Sequence, residues 1–443
     1  MKTDSAWAWV PTLYFAEGIP YFLVNVVSVT MFKRLGMGNA ELALYTSLLY
    51  LPWVIKPLWS PIVDIVRSKR WWILAMQSVM WVAFAVLALT VLSFGSGHPL
   101  LVAVLLLFYL AAFASATHDI AADGFYMLAL DPHRQSLFVG IRSTFYRIAS
   151  VFGQGGIVVA AGILEERLGD IPLAWSLTLG GSAALLAVLN LWHLKALPRC
   201  ESSRTANRDA NRTETPLTSP VPEAGRRPSF AGVFAAFFRK KDVWLTIIFL
   251  LLYRLPEAMS VKMLTPFLLD SPEKGGLALS TAQSGLVYGT AGIIALTVGG
   301  IAGGLASARW GLRKTLWPMA LSLALPCAVY LFLSIARPPL WAVYIGVVLD
   351  QFGYGFGFTA YMLYMMYFCA GPFQTAHYAI CTAFMALSMM LPGMVAGILQ
   401  EAVGYTGFFV VVVASCLVTV AVTAFLPSRI EESYGKKLPS TEK

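Results

Sequence analysis

The sequence predicts an all-α membrane protein with twelve transmembrane helices arranged as two six-helix halves. Three observations predict it. Of the 443 residues, 58% are hydrophobic and only 12% are charged, whereas a water-soluble domain carries about 25% charged residues. So little polar material cannot cover a surface facing water. The apolar residues gather in segments of the length that a bilayer demands, about 20 residues each. A single long polar stretch then falls in the middle of the series, with six segments on either side.

In order, the expected spans are 7–32, 42–64, 72–94, 98–129, 136–163, 172–195, 243–268, 281–306, 314–335, 339–368, 376–402 and 405–427. The first is too long for a signal-peptide core and contains Glu17, so it reads as an uncleaved span. Residues 1–195 form the N-terminal half. Residues 196–242 are a cytoplasmic linker expected to be disordered, because RCESSRTANRDANRTETPLTSPVPEAGRRPSF offers no apolar run to fold around. Its RRPSF could accept a modification, although a solvated linker accounts for it. The C-terminal half covers 243–428, and a charged cytoplasmic tail occupies 429–443.

Orientation follows from lysine and arginine placement in the loops. With both termini cytoplasmic, 22 of the 32 basic residues fall on the cytoplasmic side, ten of them between Lys195 and Lys241. Five fall on the other side: Lys33, Arg34, Arg167, Lys274 and Arg337. The formal net charge of +9 therefore expresses the positive-inside rule, and the partners it implies are membrane lipids, with no nucleic acid. The five cysteines form no CxxC and are odd in number, so they suggest neither a disulfide framework nor a metal site.

Charged side chains inside a span cost roughly 2.5–3.5 kcal/mol each on insertion scales, so every one needs a reason. The spans hold five acids (Glu17, Asp119, Asp123, Glu257, Asp350) and five bases (Lys56, Arg142, Arg147, Arg254, Lys262). Spans 4 and 5 form an antiparallel hairpin, and matching depth along it pairs Asp119 with Arg147 and Asp123 with Arg142. Asp119 and Asp123 share one helix face, but the two arginines diverge by about 140° on theirs. Both pairs cannot be ideal, so one arginine should point towards a cavity or ligand. Arg254 and Glu257 can pair within their own helix at i, i+3. Glu17 and Asp350 lack a local partner at mid-membrane, where a proton carrier would stand. Lys56 and Lys262 read as structural or snorkelling. Tyr146, Tyr361 and Tyr364 are candidate cavity aromatics, and the glycines after Asp350 read as packing contacts.

Enzyme signatures are missing: there is no GxxxxGK[ST], no HExxH and no GxSxG. An enzyme using Asp119 and Asp123 as a dyad is the reading from another class, as is a non-transporting sensor. Intramembrane aspartyl proteases, however, place their acids on separate helices with a GxGD motif that this chain lacks.

Two cytoplasmic loops occupy the same place in each half. One carries Asp64, Arg67, Lys69 and Arg70, and the other Arg309, Gly311, Arg313 and Lys314. Both resemble, incompletely, the gating-loop signature of major facilitator transporters. The strings FAEGIPY (16–22), LPWVIKPLWSPIVD (51–64), HDIAADG (118–124), STFYRIA (143–149), LLYRLPEA (251–258) and DQFGYGFG (350–357) resemble the branch containing AmpG-type muropeptide permeases, acetyl-CoA transporters and drug transporters. The best-known permeases carry two further C-terminal spans beyond these twelve. The resemblance implies a monomeric inner-membrane importer of anhydromuropeptides, driven by protons and needing no cofactor. It attaches function to Asp119 and Asp123. A drug, siderophore or acyl-CoA-like solute is the alternative substrate.

Overall fold

The computed structural model describes residues 6–93, 99–130, 132–199, 230–371, 373–432 and 434. Among these residues every regular element is helical. This is how a chain buried in hydrocarbon satisfies its own backbone, since no water is there to do so.

The first part of the chain begins with α1 (Ala6–Phe22), which passes through a π-helical turn (Leu23–Val27) into α2 (Ser28–Arg34). There follow α3 (Asn39–Leu48), α4 (Leu51–Ile65), α5 (Lys69–Leu92) and α6 (Pro99–Ala129). Next, α7 (Pro132–Val151) runs through a second π turn (Phe152–Ile157) into α8 (Val158–Leu168), and α9 (Ile171–Ala196) closes the set. The second part comprises α10 (Phe230–Phe238), α11 (Val243–Leu252) and α12 (Leu255–Leu269). Then α13 (Thr281–Ser284) continues through a third π turn (Gly285–Gly292) into α14 (Ile293–Trp310). The last elements are α15 (Leu312–Ala324), α16 (Ala328–Ala336), α17 (Leu340–Cys369) and α18 (Gln374–Ala424). Local chemistry sets several helix starts. Ser68 accepts from the backbone of Trp71 at 3.2 Å, and Asp170 accepts from that of Leu173 at 3.0 Å. Ser280 and Gln283 make a reciprocal capping box.

Nine helices among the described residues are long and apolar enough to cross a membrane. The sequence suggested twelve, and the difference arises in three places. The expected span 42–64 is split between α3 and α4 around Leu49 and Tyr50. Helix α17 has 30 residues but is rich in glycine and tyrosine, and it is not among the nine. The spans 376–402 and 405–427 run together as α18, broken only at Gly404, whose φ of 69° lies in the left-handed region. The linker expectation also needs correction. Phe230–Phe238, inside 196–242, is helical, and Phe237 packs against Phe368, His377 and Phe384. The sequence FAGVFAAFF supplies the apolar run that the upstream residues lack. Residues 200–229, with most of RRPSF, and the tail from 435 onward lie outside the described residues.

The two parts of the chain touch where the second and third π turns cross. A Cβ on Gly289 would stand 2.0 Å from the carbonyl oxygen of Gln154, and one on Gly155 would stand 2.5 Å from Thr290 Oγ1. Only bare backbone fits there. The glycines of α17 act similarly within the second part. A Cβ on Gly353 would meet Ser322 O at 2.1 Å, and one on Gly355 would meet Leu296 O at 2.0 Å. The run therefore lets α14 and α15 approach α17 closely, as its sequence suggested.

At the end of the molecule where α2, α8 and α12 finish, a polar network joins the two parts. Lys33 Nζ lies 2.7 Å from Asp270 Oδ1 and 2.6 Å from Asn39 Oδ1. Tyr405 donates to Asp270 at 2.6 Å. Asn39 donates to Gln400 at 2.6 Å, and Glu401 accepts from the Ala40 backbone at 2.8 Å. Nearby, Glu165 accepts from Arg34 at 3.0 Å, Thr281 at 2.6 Å and Trp175 at 2.7 Å. These ties hold this end shut.

Candidate functional site

Helix α1 packs against α6 and α7, and α4 packs against α6. Their buried charges therefore converge. Carboxyl oxygens of Glu17, Asp119 and Asp123 all lie within 4.8 Å of one another. Lys56 from α4 forms an ion pair with Asp119. Arg142 from α7 reaches Asp123 at 2.8 Å, and Tyr14 donates to the same oxygen at 3.1 Å. The Arg142 guanidinium also lies 4.4 Å from the Tyr14 ring centre and 5.2 Å from that of Tyr126, the geometry of a cation–π contact.

Charge counting makes this cluster chemically capable. Three carboxyls face two permanent cations, so one proton among the acids makes the group neutral. Glu17 is the most enclosed acid of the three, with 8% of its surface exposed, and its Oε2 has no hydrogen-bond partner among the described residues. Asp123, by contrast, keeps 40% of its side-chain surface exposed and Arg142 keeps 30%. The cluster thus has a dry side and a wet side. Three carboxylates at this spacing could also hold a cation, but Lys56 and Arg142 already supply most of the positive charge that such an ion would bring.

The depth-matched pairing holds for Asp123 and Arg142 and fails for Asp119 and Arg147. Asp119 takes Lys56, a residue whose sequence position suggests a structural or snorkelling role. Arg147 turns away from the acids; its only hydrogen bond among the described residues is to Thr297 Oγ1 at 3.4 Å on α14. Hairpin geometry cannot see a third helix, and α4 supplies the competing cation.

In the second part, Arg254 is 4% exposed, bonds Glu257 at 3.0 Å and donates to Tyr354 at 2.8 Å. It also lies over the Phe358 ring at 4.7 Å. Asp350, expected to be alone, accepts from Tyr330 at 2.6 Å and from Gln351 at 3.0 Å. Lys262 does not snorkel. It is buried and donates to Thr46 across the two parts at 3.1 Å, with the Tyr50 ring beside it.

Of the candidate aromatics, Tyr146 stands with Tyr21 and Phe22, at 6.5 and 5.6 Å between ring centres. Tyr361 and Tyr364 pack inside the second part of the chain. Both are buried between α11 and α17, where Tyr361 donates to Leu250 O at 2.8 Å and Tyr364 bonds Thr246 at 3.0 Å. In the basic loops, Arg70 donates to the carbonyls of Leu194 at 2.6 Å and Leu197 at 3.2 Å, at the end of α9. Lys69 lies against Gly124, Arg309 lies over Trp310, and Arg313 is exposed. The side chain of Asp64 lies outside those described.

A cleft of about 320 Å³ opens between the two parts, lined by Arg147, Leu296, Tyr354, Phe358, Thr359 and Met362 among others. Sequence reasoning missed Lys33, Asn39, Asp270, Gln400 and Tyr405. A usable signal was the gathering of acids at the same end of the spans, Glu165, Asp170, Asp270 and Glu401, opposite Lys33 and Arg34.

Helices of this length and number, crossing at glycines around buried opposed charges, define a membrane carrier. The model of the Major Facilitator Superfamily matches residues 12–374, and the chain belongs to that family. It is therefore a multi-pass membrane transporter and not an enzyme. It is 27% identical to the anhydromuropeptide permease of Escherichia coli (strain K12), over 91% of this chain and 76% of that protein. It is 22% identical to the putative transporter AmpG 4 of Rickettsia felis (strain ATCC VR-1525 / URRWXCal2), over 94% of each. Its fold is similar to those of the nucleoside transporter NupG (TM-score 0.67, 18% identity, 97% of this chain and 100% of that one) and a D-xylose-proton symporter (TM-score 0.69, 10% identity, 97% and 99%).

Proposed function

We propose that the chain is a proton-coupled importer of anhydromuropeptides in a bacterial inner membrane, working as a monomer with both termini in the cytoplasm. Twelve helices in two six-helix halves, 1–195 and 243–428, enclose the pathway. The excess of lysine and arginine at one end of the spans supports this orientation. It makes the shut end, with Lys33 and Asp270, the outer one, so that the exposed face of Asp123 and Arg142 opens inward. Similarity to the E. coli permease supports the substrate class. Tyr21, Trp53 and Tyr146 offer aromatic faces beside the charge cluster on which sugar rings can stack.

The observation that carries the coupling is the imbalance of three carboxyls against two cations at Glu17, Asp119, Asp123, Lys56 and Arg142. One proton balances it, and access from alternate sides lets that proton enter and leave with the substrate. The test is uptake of N-acetylglucosaminyl-1,6-anhydromuramyl tripeptide into proteoliposomes, with and without a pH gradient. Asp119→Asn should abolish gradient-driven accumulation while counterflow continues. Asp119→Asn leaves two carboxyls against two cations, so if it accumulates substrate as fully as wild type, the imbalance does not couple transport.

A further inference from the structure

Arg147 is a guanidinium of α7 that the acid cluster does not use. Its neighbour Arg142 is neutralised by Asp123 at 2.8 Å. Arg147 lies in the middle of the bundle with no carboxylate within ion-pair distance among the described residues, and it makes a single long hydrogen bond to Thr297. A guanidinium has five N–H donors in a fixed fork, so most of this fork is unspent. It lines the cleft between the two parts of the chain, and apart from Thr359 the rest of that lining is apolar, aromatic or glycine. Gly300 leaves room beside it: a Cβ there would stand 3.7 Å from Arg147 Nη2. Across the cleft, Tyr354 and Phe358 form an aromatic wall that Arg254 holds from behind, through the 2.8 Å bond to Tyr354 and the cation–π contact with Phe358.

A half-buried cation with open donors in an apolar cleft is chemically incomplete, and a planar anion completes it. Guanidinium and carboxylate match as two parallel N–H···O bonds. We propose that Arg147, with Tyr354 and Phe358 opposite, is a carboxylate-binding subsite that reads the peptide carboxyls of the transported solute. The proposal rests on the reading above, in which the solute passes between the halves. It adds that the halves share this subsite, with Arg147 from one and the aromatic wall from the other. A neutral sugar would leave the guanidinium unpaired, so the subsite selects solutes that carry a peptide acid.

The test uses the full chain in lipid nanodiscs with two probes. One is the anhydro-disaccharide tripeptide, and the other is the same compound with its peptide carboxyls converted to primary amides. Wild type should bind the amide at least about 10-fold more weakly, the scale of a charge-assisted bond. Arg147→Gln should bind both probes alike, and Arg147→Lys should keep part of the preference. A preference undiminished in Arg147→Gln, or equal binding of both probes by wild type, overturns the proposal. Binding of neither probe rejects the muropeptide reading alone, and the subsite is then judged with glutarate. Slower modification of Arg147 by phenylglyoxal in the presence of glutarate, read by mass spectrometry, supports it. An unchanged rate overturns it.

Discussion

Replacing Asp270 with Asn should open the end of the molecule that the Lys33 network closes. The carboxylate takes Lys33 at 2.7 Å and Tyr405 at 2.6 Å, and the Lys33 and Asp270 side chains are only 10% and 7% exposed. Breaking a buried ion pair on one side costs about 3–5 kcal/mol, because the surviving charge is left without compensation. Asn39 Oδ1 stays beside Lys33, so the lower figure applies. Conformations open at this end place Lys33 in water and escape the cost. The balance between closed and open should therefore move by roughly 100-fold, at about 1.4 kcal/mol per factor of ten. Ser284 is buried one turn along from Thr281, which bonds Glu165 at this end. In a cysteine-free background, Ser284→Cys should react with a membrane-impermeant maleimide roughly 100-fold faster once Asp270→Asn is added. The apolar pair Lys33→Met/Asp270→Leu should label more slowly than Asp270→Asn, since no charge is stranded. An unchanged labelling rate in a normally folded Asp270→Asn protein would refute the argument, and so would equal rates in the single and double variants.

Two further outcomes follow from packing. Tyr361→Ala should lower the thermal stability of the purified protein, by about 3–5 kcal/mol as for other large buried side chains. Substrate affinity among the molecules that remain folded should stay close to wild type, measured by binding at a temperature well below unfolding. Gly289→Ala should weaken folding or fix the helices apart, because its new methyl would stand 2.0 Å from Gln154 O. The melting temperature of the purified Gly289→Ala protein should fall below that of wild type.

How far the sequence reveals this arrangement depends on whether an interaction is local. Arg254 and Glu257 pair as their i, i+3 spacing requires, and Asp123 meets Arg142 because a hairpin fixes relative depth. Asp119 shows where such reasoning stops. Depth along α6 and α7 carries no information about α4, so Lys56 was invisible as its partner. Asp350 shows a second limit, since the hydroxyl of Tyr330 and the amide of Gln351 satisfy it without any formal charge. Tyr361 and Tyr364 recur at helical spacing, but spacing alone does not say which side of α17 faces α11. The Lys33, Asn39, Asp270, Gln400 and Tyr405 network joins residues more than 200 positions apart, and only the folded chain brings them together. The glycines after Asp350 were legible as packing positions because a helix without side chains on one face has few other uses.

The bare-backbone crossing of Gly155 and Gly289 has a mechanical consequence. Along α7 and α8, this point lies roughly 20 Å from Leu168 and roughly 35 Å from Pro132, at 1.5 Å per residue. With no side chain to interlock, the two parts can tilt about it as arms of unequal length on a common fulcrum. Each ångström gained at the short arm, beside Lys33 and Asp270, accompanies nearly two at the long arm. The mouth on the short side is therefore the narrow one. Whichever way cargo travels, its bulk should limit passage at the short-side mouth more than at the opposite one.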